Sequence, residues 1–508
     1  MKGCEVMVRI ADLNIDANCA RLLGHEYCVR FVALPFRRED GHLWVALSEP
    51  EKISVLADIS DITGYFTVPV EADEGDIRYY VDKIFSEEAL NSIASQFLVD
   101  ERLKDRADSA ELLAEISAAP AVRLIDSIVE TGVLNRASDI HIEPYGRHLR
   151  ARYRVDGQLI TYGKVAINLL PNVVSRLKIM GGMDISERRL PQDGHFTIET
   201  GELFAKGGKV DFRLSTLPTV FGEKIVIRLL YGETSRLKKE ELGFHDKDLE
   251  KLTALFNQPY GAIFMTGPTG SGKSTTLNSF LQELSQDTRN IITVEDPVEN
   301  PILGVNHVNI ERLAGLTFAG ALRHILRQDP DIIMIGEIRD AETARIAMQA
   351  AITGHVVLST LHTNDAAGVI ERLTDMGIEP YLVAAALNGV ISQRLVRRIC
   401  RECSAPATLT PSQARLLRLP KETPVFAGKG CGHCNNTGFR SRFAVYEYII
   451  LDEIKRRQMS TQPVQFADEL RQSQGLRSSA IRALTEGKTT AGEVIRALSR
   501  ESLGNVEE

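Results

Sequence analysis

Gly267, Pro268, Thr269, Gly270, Ser271, Gly272, Lys273 and Ser274 satisfy the pattern G-x-x-x-x-G-K-[ST] in full. AIFMT before them reads as a strand and STTLNSFL after them as a helix, the context in which this spacing holds phosphate. Glycines let the backbone wrap an anion, and its N–H groups plus the helix N-terminus form the site. Lys273 is expected to reach the β- and γ-phosphates of a nucleotide. The Ser274 hydroxyl is expected to ligate Mg²⁺, with Thr275 as the next residue of the cradle. A chance glycine-rich turn is the competing reading, and the satisfied context tells against it.

Phosphoryl transfer also needs acids near the metal and the attacking water. IITVEDPVE (291–299) supplies Glu295, Asp296 and Glu299, and DIIMIGEIRD (331–340) is an apolar run followed by Gly336 and Glu337. The second resembles a Walker B strand whose usual Asp is replaced by Gly-Glu. Carboxylates at the C-terminal ends of parallel strands lie on the ligand edge of such a sheet. Taken singly, each is as easily a surface acid or a helix cap. A third element, TGHVVLSTLHTND (353–365), is a strand flanked by His355 and His362, either structural or placed to sense the γ-phosphate and hold the acids.

Cysteine chemistry forms a second constellation. Cys400-x2-Cys403 and Cys431-x2-Cys434 are separated by 27 residues (404–430), while Cys4, Cys19 and Cys28 are scattered. Four thiolates in two such pairs suit tetrahedral Zn²⁺. The spacer exceeds the usual knuckle spacing. A redox pair is the rival, but it requires two pairs to coincide by accident. Four protein ligands leave no open position, so the site is expected to be structural. Beside it, RLVRRICREC (394–403) is a basic run, read as a solvated face, with an anionic docking surface or lipid contact as the alternative.

These groups need elements to position them. The chain has 508 residues, 44% hydrophobic and 25% charged, enough for three or four domains with full cores. Residues 1–100 read as a small α+β domain with strand candidates FVALPF, LWVAL and FTVPV. The mixed-charge stretch 100–115 reads as a solvated helix or linker, placed at 101–117. Residues 118–240 form a second α+β domain with strand candidates at 149–157, 194–200, 209–217 and 223–230, one face wet. Residues 241–399 alternate short apolar strands with helical patterns, implying a parallel sheet covered on both faces. A Cys-rich segment (400–440) and a helical tail (441–508) follow. The fold class is α/β: a RecA-like P-loop domain preceded by α+β domains, with a small zinc-binding subdomain and a helical tail. The formal charge of −8 gives no general pull toward nucleic acid or anionic lipid. No stretch reaches the ~20 apolar residues of a membrane span, and Arg9, Asp12 and Asp16 interrupt the N-terminus, so a cytoplasmic location is expected.

VEDPVE, LTFAGALRHILRQDPDIIMIGEIRDAETA and TGHVVLSTLHTNDA, following GPTGSGKSTTL, resemble the secretion ATPase superfamily. Within it the match is to type II secretion and type IV pilus assembly motors, the GspE/PulE/PilB group. It extends upstream through ASDIHIEP (137–144), RYRVDG (152–157), RRLPQDG (188–194) and GEKIVIRLL (222–230), and downstream through both Cys pairs. The resemblance implies a homo-hexamer that hydrolyses ATP with Mg²⁺. Its second α+β domain is PAS-like and lends arginines to the phosphates; Arg213 and Arg228 occupy the matching positions. Arg323, Arg327, Arg339 and Arg372 match other arginines near the site or the subunit interface. Glu299 is implied as general base or water-orienting residue, Glu337 as the Walker B acid, and His355 and His362 fall on the His box.

The implied partners are an inner-membrane platform protein that adds pilin or pseudopilin subunits and a membrane-anchored protein docked by the N-terminal domain. The motor would thus be peripheral at the inner membrane. Retraction-type relatives lack the tetracysteine subdomain, so the direction is assembly, and the inter-pair spacing leans toward the secretion-like branch. Two positions depart from the pattern: His195 stands where an Arg is common, and Ser441 where Gly is usual, which would alter a turn after the metal site. A nucleic-acid translocation motor is the rival of another class; the acidic balance and the Cys insert argue against it. A nucleotide-gated scaffold with negligible turnover is a third reading.

Overall fold

The structure, a computed structural model, describes residues 8, 10, 13, 15–50, 53–81, 84–85, 110–200, 208–231, 237–311, 314–473 and 475–498. Cys4, residues 100–109 of the charged stretch and the tail beyond 498 lie outside the described residues. Two compact units emerge. One comprises residues 1–234 with Cys400–Cys403 and Lys429–Arg440, the other residues 235–399, 404–428 and 441–508.

In the first unit, β1 (Ala33–Glu39), β2 (His42–Leu47) and β3 (Phe66–Glu71) form a sheet in that order. Asp40 and Gly41, at φ of 47° and 75°, make the two-residue turn between β1 and β2; a hairpin this tight needs positive φ at both positions. Strands β4 (Asp139–Tyr145), β5 (His148–Val155), β6 (Gln158–Ala166), β7 (Gln192–Thr200), β8 (Gly208–Thr219) and β9 (Gly222–Tyr231) form an antiparallel sheet ordered β6-β5-β4-β9-β8-β7. Ile140, Ile142, Tyr153, Phe212, Leu214 and Ile227 alternate onto one face. There they share a core with the helices Ala110–Leu134 and Leu170–Met180. The first of these helices begins inside the stretch expected as linker.

Register puts His195, Arg213, Arg228, Asp139 and Arg154 in one row across five strands of the opposite face. Glu143, farther along that face, is nearly buried beneath Arg150, Arg152 and Lys224 at 2.8–3.1 Å. Burial works against its charge, but hydrogen bonds from Arg152 and Lys224 outweigh it and hold the pKa at about 2.

The second unit contains β10 (Gly261–Thr266), β11 (Ile291–Glu295), β12 (Asn306–Asn309), β13 (Ile332–Ile335), β14 (Val356–Leu361), β15 (Leu387–Ile399), β16 (Ser404–Ala407), β17 (Val425–Gly428) and β18 (Phe439–Ile450). A seven-stranded sheet is ordered β12-β11-β13-β14-β10-β15-β18, parallel from β12 to β15. Ile263, Met265, Met334 and Leu358 pack on one side with the helices Asp246–Phe256 and Lys273–Leu284. Ala262, Phe264, Ile333 and Val357 pack on the other with Ala341–Ile352 and Ala367–Asp375. Strands buried on both faces read as continuous apolar runs, as GAIFMT and IIMI do. β16 and β17 pair antiparallel, and a separate core joins Leu409 and Leu417 to the helices Gly475–Thr485 and Ala491–Ala497.

The run 394–403 is solvated only in part: Arg401 is exposed, whereas Arg394, Arg397 and Arg398 are half-buried. Arg394 donates to the carbonyls of Gln393 and Asn364. Arg397 pairs with the buried Glu493 at 2.9 Å, and Arg398 lies over the Phe443 ring at 4.6 Å. These arginines belong to β15, whose neighbours occupy them, so neither the solvated face nor the docking surface describes them.

Candidate functional site

The loop 267–272 leaves the buried end of β10 and enters the helix Lys273–Leu284. Gly267 has φ 139°, and a Cβ there would lie 2.4 Å from the Gln393 carbonyl oxygen. Gly270 and Gly272 also sit at positive φ, 76° and 84°. The loop therefore tolerates only glycine where it turns and where it meets β15. Lys273 is nearly buried, and its Nζ donates to the carbonyls of Gly267 at 2.7 Å and Pro268 at 3.1 Å. Burial lowers its pKa, Arg394 adds to that, and Glu337 works against both. Ser271 Oγ is buried without a hydrogen-bond partner, whereas Ser274 and Thr275 are exposed at the helix start. An orphaned hydroxyl, an ammonium bonded only to loop carbonyls and a hydroxyl open at a helix N-terminus fit a phosphate with its Mg²⁺.

The acids follow from the strand order. β14 lies beside β10, β13 beside β14 and β11 beside β13, so their C-terminal ends line one edge. Glu337, two residues past β13, pairs with Arg339 and with His362 Nε2 at 3.4 Å. Gly336 holds the usual Asp position in a close-packed place, where a Cβ would come within 3.3 Å of the Val294 carbonyl oxygen and 3.4 Å of Glu295 Cα. Glu295 accepts from Thr293 Oγ1 at 2.7 Å and pairs with His307 at 3.0 Å, which ties it into the sheet. Glu299 lies exposed in the loop after β11, which is pinned by a hydrogen bond from Val298 N–H to Asn309 at 3.0 Å.

The structure thus gathers Glu337, Arg339 and His362, while His355 lies at the opposite end of β14, bonded to the Ala350 carbonyl at 3.1 Å. Arg323 pairs with Glu342, Arg327 contacts His324, and Arg372 is exposed on its helix. Arg213 and Arg228 belong to the first unit; Arg228 pairs with Asp139 at 3.3 Å.

Sequence reasoning missed the residues that hold the loop in place. Gln393, 1% exposed, donates to the Ser271 carbonyl at 2.8 Å and accepts from Thr276 Oγ1 at 2.9 Å. Thr266 Oγ1 bonds Thr363 Oγ1 at 2.6 Å and accepts from Thr363 N–H at 3.1 Å, joining the root of the phosphate loop to the His362 loop. Glu447, its pKa raised by burial, accepts from Ala366 N–H at 3.0 Å on that same loop. The available signal was a polar Gln inside the apolar run GVISQRLV.

All four sulfurs of Cys400, Cys403, Cys431 and Cys434 lie within 4.8 Å of one another, with Cys400–Cys431 and Cys403–Cys434 at 3.8 Å and Cys431–Cys434 at 3.7 Å. Thiolates each about 2.3 Å from a tetrahedral ion stand about 3.8 Å apart. The donor set therefore fits such an ion. Burial opposes ionisation of Cys434, but N–H groups of Cys431 and Gly438, at 3.2 and 3.3 Å, more than offset it and hold the pKa below the ordinary thiol value. Burial pushes Cys403 up to about 11. Ser441, at φ 69°, adopts the backbone a glycine would take, so the turn is kept rather than altered.

The family described as "Type II/IV secretion system protein" matches residues 114–496, and the MshEN domain matches residues 3–90. The type IV pilus assembly ATPase PilB of Myxococcus xanthus is 41% identical over 96% of this chain and 88% of its own length. Type II secretion system protein E of Pectobacterium carotovorum is 41% identical over 84% of this chain and 85% of its own. The ATPase DotB of Legionella pneumophila, 22% identical, superposes over 73% of this chain and 94% of that one with TM-score 0.54, a likeness of fold.

Proposed function

The chain belongs to the type II/IV secretion system protein family, and on that footing we propose that it hydrolyses ATP to drive assembly of a type IV pilus or a type II secretion pseudopilus. The observation that carries this reading is the complete phosphate loop on β10 with the Glu337–His362 pair at the ends of the two following strands of the sheet.

Lys273 would leave the carbonyls of Gly267 and Pro268 to bind the β- and γ-phosphates. Mg²⁺, held by Ser274 and Glu337, would neutralise charge on those phosphates. Glu299 would orient the attacking water from its exposed loop, and His362 would fix the Glu337 carboxylate. Arg213 and Arg228, on the wet face of their sheet, would stabilise the transferring phosphoryl group, Arg228 leaving Asp139 to do so. Such a motor would act as a hexamer in the cytoplasm, peripheral at the inner membrane. It would work on a platform protein in that membrane, with its N-terminal domain docked to a membrane-anchored partner. Among the described residues no helix is long and apolar enough to cross a membrane. The tetracysteine site would hold structural Zn²⁺, supported by four converging sulfurs.

The test is a strain whose only copy carries Lys273→Ala, scored for surface pili and for secreted exoproteins. Loss of one, with normal levels of the variant protein, is the expected result and also identifies the machine. Wild-type piliation together with wild-type secretion would overturn the proposal.

A further inference from the structure

The loop between the second pair of cysteines has neighbours that a purely local metal site does not need. Asp76, 5% exposed, accepts a hydrogen bond from Gly432 N–H. Asp73 pairs with His433 Nε2 at 3.1 Å, Tyr80 OH accepts from Asn436 at 3.2 Å, and Asn435 donates to Asn135. The backbones approach closely: a Cβ on Gly432 would fall 2.2 Å from the Gly75 carbonyl oxygen, and one on Gly75 would fall 2.6 Å from the His433 ring. All these residues lie in one compact unit. Residues 73–80 belong to the MshEN match, near its end.

The cysteine loop is shaped by backbone hydrogen bonds, from Cys434 and Asn436 N–H to the Cys431 carbonyl at 3.2 and 2.9 Å, and a bound ion would tie it to Cys400 and Cys403. Its core cluster consists of the cysteines alone. Asn435 and Asn436 follow each other at φ 51° and 57°, left-handed backbone that asparagine adopts more readily than most residues. The contact with residues 73–76 leaves no room for a side chain at Gly432, which faces the Gly75 carbonyl and Asp76 Cα, while Gly75 faces the His433 ring.

We infer that the tetracysteine site is the anchor of the N-terminal domain: the metal-held loop 431–436 fixes residues 73–80, and emptying the site releases them. The inference rests on the metal reading proposed above. What is recognised is this chain's own helical segment 74–81, through its buried Asp76 carboxylate and the bare backbone at Gly75.

The experiment is amide hydrogen exchange followed by mass spectrometry on the full chain, with metal content measured on the same samples. The samples are wild type, chelator-treated wild type, Cys431→Ser and Gly432→Ala. Removing the metal is expected to speed exchange in residues 73–81 by about tenfold or more while β10 and β14 keep their protection, as expected of local opening. Gly432→Ala is expected to retain one metal per chain and still expose residues 73–81, because the added Cβ meets backbone. Unchanged protection of 73–81 in metal-free protein, or in metal-loaded Gly432→Ala, would overturn the inference. So would loss of protection spread evenly to β10. Wild-type protein free of metal as purified under reducing conditions would instead sink the metal reading itself.

Discussion

Gln393→Ala tests whether the phosphate loop is held from β15. The wild-type side chain joins the Ser271 carbonyl at 2.8 Å to the Thr276 hydroxyl at 2.9 Å and is 1% exposed. Alanine leaves both groups without that partner in a buried place, where each orphaned group costs about 1–3 kcal/mol. The Thr276 hydroxyl can turn to a helix carbonyl one turn back, so its share is discounted. The Ser271 carbonyl has no such recourse within the loop. About 2 kcal/mol of lost loop order remains, which corresponds to about 30-fold weaker nucleotide binding. The assay is titration of a fluorescent ATP analogue against the purified variant, with thermal unfolding alongside to show that the sheet persists. Gln393→Glu is expected to be at least as damaging, because a carboxylate cannot donate to the Ser271 carbonyl. Wild-type nucleotide affinity in a folded Gln393→Ala protein would refute the idea that β15 organises the loop.

Other expectations follow from single contacts. His362→Ala removes the 3.4 Å partner of Glu337 and should lower kcat about tenfold or more with little change in nucleotide Kd, since a positioning group acts on the chemical step; equal loss in both would indicate a binding role. Ser441→Gly should raise thermal stability by about 1 kcal/mol, because φ 69° costs a serine and not a glycine; an unchanged or lower Tm would show that the site carries no strain. Glu143, held at about 2 in the folded chain against an ordinary 4.5, contributes stability above its unfolded pKa that is lost as pH falls through the folded one. Glu143→Gln should therefore destabilise at neutral pH. Its deficit against wild type should shrink between about pH 4.5 and 2, as read from denaturant midpoints.

Much of this architecture was legible because it is written in local pattern. GAIFMT and IIMI, apolar throughout, mark strands covered on both faces, and the glycine spacing marks the phosphate loop between a strand and a helix. Both cysteine pairs converge as their spacing implies. What escaped is non-local. β15 reads as a basic run because its arginines dominate the sequence, while their partners Glu493, Asn364 and Phe443 lie far away in the chain. Gln393 looks like an interruption of an apolar run until Ser271, more than a hundred residues earlier, is brought against it. The same holds for Asp76 and Gly432, whose meeting no periodicity could announce. Ser441 was visible as an odd residue, but only the backbone shows that it keeps a glycine's conformation.

If the edge formed by Lys273, Glu337 and His362 hydrolyses ATP, the purified chain must turn over nucleotide through these residues. Steady-state phosphate release by the purified full-length chain, compared with Lys273→Ala and Glu337→Gln, tests it most directly. Mg²⁺-dependent turnover is expected in the wild type. Lys273→Ala is expected to lose nucleotide binding along with turnover, and Glu337→Gln to retain binding with turnover reduced about a hundredfold or more. Hydrolysis at the same slow rate in all three proteins would contradict it.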